Sequence, residues 1–367
     1  MSAIAGSEFE RLLGAAQVAL AARRPGEAQA PAEAALAIAE SDERQSPSLA
    51  SRMALARAMS VVAGVHGELG DWGEAEAFAR RAVDILAAGS EDEIAASAVV
   101  GVAALGALGQ ALRAQGRYRE AEGSLRDGLA RAESAHDGEL MIVQAANELA
   151  VLCKHTGRFD EAEALYRRAL DIVDARRGPG HVDAATLWHN LAGLDHSRGR
   201  HARAEPAARR AVEMRTRALG LAHPDVAADA AALGAILDAL GRLDEAEELL
   251  RGALETFTTL LGPCHYEVAI NANNLAALQY RRGRIDDAEA LWHQALTIKQ
   301  QALGEDHPEL AATIVNLGVL AAKRGRDDDA RAHFERALEL LGHDVAAEHP
   351  VRRAATRSLT KLAERAH

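Results

Sequence analysis

A glycine that recurs at a fixed distance constrains the fold of this chain more than any other feature. A Gly-Arg pair occurs every 42 residues, with its glycine at Gly157, Gly199, Gly241, Gly283 and Gly325. Upstream, Gly116 lies 41 residues before Gly157, and Gly70 lies 46 residues before Gly116. A fixed period of this length is typical of repeat architectures, in which each copy is one structural unit that stacks on its neighbours.

Small residues occupy fixed positions around each glycine. Seven residues before it the chain carries Gly or Ala, and alanine follows five residues after it, at Ala75, Ala121, Ala162, Ala204, Ala246, Ala288 and Ala330. A glycine ends a helix readily because it adopts the left-handed conformation without a Cβ clash. Small residues on both sides of such a turn allow two helices to approach closely. Each copy is therefore predicted to be a helix–turn–helix hairpin.

About eight copies are expected, because Ala28 and Ala35 match the alanine positions of an older, degenerate copy. The predicted organisation is a degenerate first copy (1–48), copies two and three (49–140), copies four to eight (141–349) and a capping helix (350–367). Two further signals recur within it. An Asp-x-x-Glu sequence, as in Asp244/Glu247, predicts a capping-box-like start of each second helix. The linker histidines His223, His265, His307 and His349 are predicted to cap helix ends.

The sequence WHNLA at 188–192 carries a family resemblance. It matches the W-x-x-L-[GA] start of a tetratricopeptide repeat, and the later alanines complete that pattern. The 42-residue period with LG-x-x-HP linkers resembles the kinesin-light-chain type of the repeat. The resemblance covers roughly residues 49 to 349. It implies an all-α, right-handed α-solenoid of about eight repeats, ended by a C-terminal capping helix, with a concave groove.

Composition excludes several classes of function. The net charge of -12 argues against a nucleic-acid binder, which needs a basic surface. Cys153 and Cys264 form no motif, which fits a reducing compartment, and no apolar run approaches the ~18 residues of a membrane span. A cytoplasmic protein is expected, and the preference for Arg over Lys, together with abundant Ala, indicates a GC-rich bacterial genome. No sequence motif suggests a catalytic, metal or cofactor site, so the chain is predicted not to be an enzyme.

The spacing also predicts which residues face the groove. Positions two, three, six, nine and ten before each glycine lie opposite the positions that pack inward. The resemblance implies that this other side lines the groove, where an asparagine at the place of Asn190, Asn274 or Asn316 holds the backbone of an extended peptide. An amide suits that role because it offers two donors and an acceptor. The predicted peptide-binding residues are Asn147, Lys154, His189, Asn190, His196, Asn273, Asn274, Tyr280, Arg281, Asn316 and Lys323.

The predicted function is a scaffold that binds an extended peptide or partner segment in this groove. Lys154, Arg281 and Lys323 fit a partner that is acidic or has a free C-terminus, whereas Ala232 interrupts the asparagine ladder. Three alternatives stay open. The chain could be a peptide-gated regulator or a protein that self-assembles through its terminal copies. It could also be the sensor fragment of a larger bacterial signalling protein, in which case GSEF at 6–9 would be a cloning scar.

Overall fold

The fold consists of helices joined by short turns. A computed structural model describes residues 3–135 and 138–365, and within these residues it contains no strand. One 3-10 turn, Pro308–Leu310, precedes α16. The helices are α1 (Ala3–Ala21), α2 (Pro25–Gln45), α3 (Leu49–Glu68), α4 (Trp72–Ala87), α5 (Glu91–Ala96), α6 (Ala98–Ala114), α7 (Tyr118–Ser134), α8 (Glu139–Thr156), α9 (Phe159–Arg177), α10 (Asp183–Ser197), α11 (His201–Leu219), α12 (Pro224–Ala239), α13 (Leu243–Leu261), α14 (Tyr266–Arg281), α15 (Ile285–Leu303), α16 (Ala311–Lys323), α17 (Asp327–Leu341) and α18 (Pro350–Arg365).

The helices follow one another as eight helix–turn–helix units, from α1/α2 to α16/α17. The last helix, α18, packs on α16 and α17. The predicted all-α repeat fold is confirmed. The recurring glycines make the turns, with φ between +73° for Gly116 and +86° for Gly157. A side chain at such a φ is strained, which explains why glycine keeps the period. The degenerate first copy uses Arg23 in its turn instead, at φ +56°.

The one irregular interval has a structural cause. Gly70 and Gly116 are 46 residues apart, and the additional residues form the short helix α5 between the second and third hairpins. Ser90 caps α5, accepting a hydrogen bond from the backbone N–H of Glu93, while the Glu93 carboxylate accepts one from the backbone N–H of Ser90. A reciprocal capping box of this kind stabilises so short a helix.

The chain divides into two compact units, Met1–Leu152 and Cys153–His367. In the first unit the core is built around Phe9, Leu13 and Met59, with alanines between them. In the second unit Phe257 and Trp292 occupy the core. Alanines at the repeated positions, such as Ala246 and Ala288, are fully buried, as the close approach of the paired helices requires.

The arginine that follows the turn glycine connects two hairpins in several copies. Arg242 lies 2.6 Å from Glu205, Arg284 lies 2.7 Å from Glu247, and Arg326 lies 2.9 Å from Glu289. Each glutamate belongs to the second helix of the preceding hairpin. In the first unit, Arg117 and Glu76 form the same contact at 2.5 Å. The period of the sequence is therefore also the period of an inter-repeat ion pair.

The capping-box interpretation of the acidic helix starts is wrong. Helices α9, α13 and α15 begin after an arginine and have no side-chain cap. Instead, Asp244 and Asp286 each lie 2.5 Å from an arginine of the next hairpin, Arg282 and Arg324 respectively. The capping role of the linker histidines is confirmed for three of them. Nδ1 accepts a hydrogen bond from the backbone N–H two residues later, at 3.1 to 3.2 Å, in His223, His265 and His307.

Candidate functional site

Helix α14 shows the two faces that the spacing predicts. Leu275, Ala276 and Gln279 are buried, whereas Asn274 is only partly buried and Arg281 is exposed. The same alternation places Asn190 of α10 and Asn316 of α16 on partly exposed positions. The first helices of the second unit therefore present a row of polar side chains at one register.

The adjacent asparagines of α14 have different environments. Asn273 Oδ1 accepts hydrogen bonds from Thr313 Oγ1 at 3.2 Å and from Asn316 Nδ2 at 3.4 Å, so Asn273 joins the seventh hairpin to the eighth. Asn274 makes no hydrogen bond within the residues that the structure describes. Its amide is therefore available to a ligand, whereas that of Asn273 is engaged in the protein.

His189 is also engaged between hairpins. Its Nδ1 lies 2.7 Å from Oδ1 of Asp229, whose side chain is fully buried. Arg215 Nε lies 3.4 Å from the other oxygen of this carboxylate, and Arg215 also donates to Thr186 at 2.8 Å. A buried carboxylate needs such partners because desolvation otherwise disfavours its charge. His189 thus contributes to a polar network between the fifth and sixth hairpins.

Besides Arg215 of the fifth hairpin, Lys299 of the seventh hairpin is a buried basic residue. Lys299 Nζ lies 3.3 Å from Thr313 Oγ1, in contact with the network of Asn273. Burial lowers the pKa of Lys299, and the nearby Glu309 carboxylate partly offsets this effect. Glu309 also accepts a hydrogen bond from the hydroxyl of Tyr266. These groups line the start of the eighth hairpin.

Sequence reasoning missed Arg215, Asp229, Lys299 and Thr313, although a signal was present. Arg215 and Lys299 both lie 16 residues after a turn glycine, where the sixth copy has the core residue Phe257. Asp229 and Thr313 both lie 12 residues before a turn glycine. A polar side chain at a repeat position that is apolar in other copies indicates a buried partner.

Asn147, Lys154 and His196 each lie beside other polar or charged side chains. Asn147 belongs to the first unit, where it and Gln110 hydrogen-bond to the carboxyl group of Glu148. Burial raises the pKa of this carboxyl group, although Arg113 and the two hydrogen bonds act to lower it. The ring of His196 packs against His201, with 3.2 Å between the two Nδ1 atoms. Burial, His201 and Lys154 together lower the pKa of His196 to about 4. Lys154 Nζ approaches Gly193 so closely that a Cβ there would lie 3.4 Å away.

The remaining predicted residues cluster near the ends of α14 and α16. Lys323 Nζ lies 4.5 Å from the ring centre of Tyr280, a cation–π geometry, and Tyr280 packs against Trp292 at 5.7 Å. Arg281 Nη1 lies 2.5 Å from the backbone oxygen of Asp238 and 3.4 Å from its carboxylate. Asp238 lies three residues before Gly241, at one of the positions predicted to face the groove, but it is buried and in contact with Arg281 of the next hairpin.

The end of the second unit returns to its beginning. The backbone N–H of Ala346 donates to the oxygen of Thr156 at 2.9 Å. A Cβ on Gly157 would lie 3.2 Å from Cβ of Ala346 and 3.4 Å from Cβ of His349. The rings of Phe159 and His349 are 6.2 Å apart, and burial together with Arg352 lowers the pKa of His349 to about 4. We refer to the contact of Thr156, Gly157 and Phe159 with Ala346 and His349 as the seam.

A family model described as "Tetratricopeptide repeat" matches residues 141–217, 183–259, 224–291 and 267–342, which together cover more than half of the chain. A second model with the same description matches residues 102–137. The chain belongs to the tetratricopeptide repeat family. The recognition made from WHNLA and the alanine positions is thereby confirmed, and arrays of tetratricopeptide repeats are protein-interaction scaffolds.

Solved structures resemble this tetratricopeptide repeat protein at low sequence identity. A Rap protein complexed with Competence and Sporulation Factor has 14% identity and a TM-score of 0.62, covering 98% of each chain. Aspartyl phosphate phosphatase F from Bacillus subtilis has 12% identity and a TM-score of 0.58, covering 84% of this chain and 76% of its own. A putative kinesin light chain with TPR-like repeats from Podosopora anserina has 22% identity and a TM-score of 0.39, covering 54% of this chain and 94% of its own. A search of curated proteins finds no match.

Residues 3–135 and 138–365 contain no group of three or more His, Cys, Asp or Glu side chains placed to hold a metal ion. Within the same residues, none of the helices combines the length and hydropathy that crossing a bilayer requires. Neither cysteine forms a disulfide bond: Cys153 is buried and Cys264 is exposed.

Proposed function

We propose that the second unit binds an extended peptide segment along the row of Asn190, Asn274 and Asn316. The observation that carries this proposal is the free amide of Asn274, which is partly buried between hairpins and has no hydrogen-bond partner in the described chain. A partly desolvated amide without a partner costs stability, so a ligand that supplies a donor and an acceptor gains affinity there.

Each hairpin contributes to recognition in a different way. Asn274 and Asn316 hold the peptide backbone from successive hairpins, and Asn190 does so two hairpins earlier. Ala232, at the intervening position, leaves room for a side chain of the peptide. Because the asparagines lie on packed helices, little entropy is lost from the protein on binding.

The charge of the peptide follows from the cations beside this row. Lys323 lies over Tyr280 at the exposed end of the groove, and Lys154 lies near Gly193. Arg281, the third predicted cation, is already engaged by Asp238. We therefore assign the preference for an acidic residue or a free C-terminus to Lys323.

One of the comparisons supports a role in binding. The Rap protein of similar fold was solved with Competence and Sporulation Factor bound. The similar Bacillus subtilis protein is named a phosphatase, but at 12% sequence identity with this chain the similarity shows only a shared fold. His189 pairs with the buried carboxylate of Asp229 and His196 packs on His201, so both histidines have structural partners, and we propose a non-catalytic scaffold.

Selection of peptides from a random display library tests the proposal. The affinity of a selected peptide is measured by fluorescence anisotropy for the wild type and for the triple variant Asn190→Ala, Asn274→Ala, Asn316→Ala. Loss of three amide contacts is expected to weaken binding about 10- to 2,000-fold, at about 0.5–1.5 kcal/mol for each hydrogen bond. A peptide N-methylated at alternate residues should bind to the wild type about as weakly as the unmodified peptide binds to the triple variant, because the asparagine amides contact the peptide backbone.

The matched control removes three exposed amides elsewhere, in Gln144→Ala, Gln294→Ala, Gln301→Ala. This control should bind the peptide like the wild type, and circular dichroism should show equal helicity in all three proteins. Equal binding by the wild type and the asparagine variant would overturn the proposed site.

A second candidate function, a peptide-gated regulator, is favoured by the seam. A ligand that binds better when the seam is open would shift the protein toward that state. Hydrogen exchange of the Ala346 amide, which donates across the seam, measures this directly. Faster exchange in the presence of a selected peptide supports gating, whereas unchanged or slower exchange supports a scaffold that does not open.

A further inference from the structure

The fifth hairpin differs from its neighbours in two adjacent positions. Eight and nine residues after the turn glycine, it carries Ala207 and Ala208. The other hairpins of the second unit have larger side chains there: Leu165 and Tyr166, Leu249 and Leu250, Leu291 and Trp292, and His333 and Phe334. The fifth hairpin therefore lacks side-chain volume in a place where the repeat normally provides it.

A cavity of about 280 Å³ lies at this position, between α9, α10 and α11. Its walls are apolar and include the faces of Leu170, Trp188, Leu191, Pro206 and Ala207. The volume is close to the lower end of the ~300–1,000 Å³ range of small-molecule sites. These residues lie on the side of α10 away from Asn190, so the cavity is separate from the proposed peptide groove.

The rim of the cavity is cationic. Arg203 Nε lies 3.0 Å from Asp195 and Arg167 lies 3.1 Å from Glu163, so both of these arginines have carboxylate partners. Arg210 differs from them: its guanidinium lies 4.6 Å from the ring centre of Trp188 and forms no ion pair with a described residue. An arginine that stacks on an aromatic wall and lacks a carboxylate partner is suited to receive an anion.

We propose that this cavity binds a small planar organic anion, of the class of aromatic carboxylates. The ring occupies the space that Ala207 leaves open and packs on Trp188, and the carboxylate pairs with Arg210. A cation is disfavoured because arginines outnumber the single lining carboxylate, Asp195, which Arg203 already holds. The site is independent of the peptide groove and does not rest on the function proposed for it.

Benzoate is the probe that tests the proposal. Two-dimensional ¹H–¹⁵N spectra of the full chain would follow the indole N–H signal of Trp188 during titration to about 10 mM, a range that detects dissociation constants of about 1 mM. A saturable shift is expected for benzoate, and the neutral analogue benzamide is expected to bind about tenfold more weakly. Assignment uses Trp188→Phe, because Trp72 and Trp292 give the other two indole signals.

Two variants and one control identify the site. Ala207→Leu fills the cavity with the residue that three other hairpins of this unit carry, so it should fold normally and lose benzoate binding. Arg210→Gln should weaken binding about tenfold. Arg209→Gln, which removes the neighbouring arginine that pairs with Glu205, should bind like the wild type. The proposal is overturned if benzoate causes no saturable shift, or if Ala207→Leu, shown to fold by its melting temperature, binds as the wild type does.

Discussion

Arg284 donates a hydrogen bond to Glu247 at 2.7 Å, and the two residues belong to successive hairpins. The same carboxylate receives hydrogen bonds from Arg251 and Gln279. Glu247 is therefore the centre of a network that joins the sixth hairpin to the seventh. This role explains why an arginine follows the turn glycine.

Replacing Arg284 with glutamine should lower the free energy of unfolding by about 1–2 kcal/mol, because Glu247 loses a partner in a partly buried network. Urea denaturation measures the change. The control is Arg217→Gln, since Arg217 pairs with Glu213 on an exposed surface of one helix and should contribute less than about 0.5 kcal/mol. Equal losses in the two variants would show that the inter-repeat position of Arg284 has no special value.

The stability of the protein should fall with pH through Glu247. Burial alone would raise the pKa of this carboxyl, but hydrogen bonds from Arg251, Arg284 and Gln279 lower it to about 2. The unfolded pKa is about 4.3, so between these values the unfolded chain binds more protons. The stabilisation is then complete above about pH 4.3 and lost as the pH falls toward 2. The stability difference between the wild type and Glu247→Gln should shrink over this interval; a constant difference would contradict the assignment.

Asp229→Ala should destabilise the protein by about 3 kcal/mol, because it leaves Arg215 with no carboxylate at a buried position. Thermal and urea unfolding measure this loss. Replacing both Arg215 and Asp229 with leucine should recover a large part of it, since no unpaired charge remains buried. Asp244→Ala serves as control because its side chain is 98% exposed. If the single and double variants were equally unstable, the network would act through packing and not through charge.

The two adjacent asparagines should separate stability from binding. Asn273→Ala removes hydrogen bonds to Thr313 and Asn316 and should cost about 1 kcal/mol of stability. Asn274→Ala should change stability by less than about 0.5 kcal/mol but weaken a selected peptide about three- to tenfold. Urea denaturation and fluorescence anisotropy on the same two proteins measure both quantities. The opposite pattern, with Asn274 needed for stability, would remove the basis of the proposed groove.

Gly157 and Gly325 form a matched pair for testing the seam. Both turn glycines have positive φ, at +86° and +73°, so alanine at either costs about 1–2 kcal/mol of backbone strain. Only at Gly157 would the added methyl also meet Ala346 and His349, since nothing lies near Gly325. Gly157→Ala should therefore be less stable by a further ~1 kcal/mol and should speed hydrogen exchange at Ala346. Equal effects would mean that the seam contributes little.

Periodicity was sufficient to predict the hairpins and the side of α14 that is exposed. It could not predict the partners of the exposed positions, because those depend on the next hairpin. Asn273 and Asn274 look equivalent in sequence, yet Thr313 engages only the first. The acidic starts were misread for a similar reason: Asp244 has the spacing of a cap, but an arginine 38 residues later is its partner.

Neither the seam nor the cavity was predicted from the sequence, and the reasons differ. Thr156 and Ala346 are 190 residues apart, and no repeated pattern connects them, so their contact follows from the summed rotation of the hairpins. The cavity could have been noticed as the pair Ala207 and Ala208 at positions that are large elsewhere. Whether a gap in one copy collapses or stays open depends on how the neighbouring side chains pack.

A linear array of repeats can fray from either end, because a terminal hairpin has only one neighbour and its loss breaks a single interface. In the second unit, the hydrogen bond from Ala346, in the linker between α17 and α18, to Thr156 attaches the C-terminal end of the array to its first turn. Unfolding of the last hairpin then disrupts this contact as well as the packing against the seventh hairpin, and unfolding of the first turn of the unit disrupts the same contact. The unit should consequently melt in one sharp transition with few partly folded species, unlike an open array of equal length.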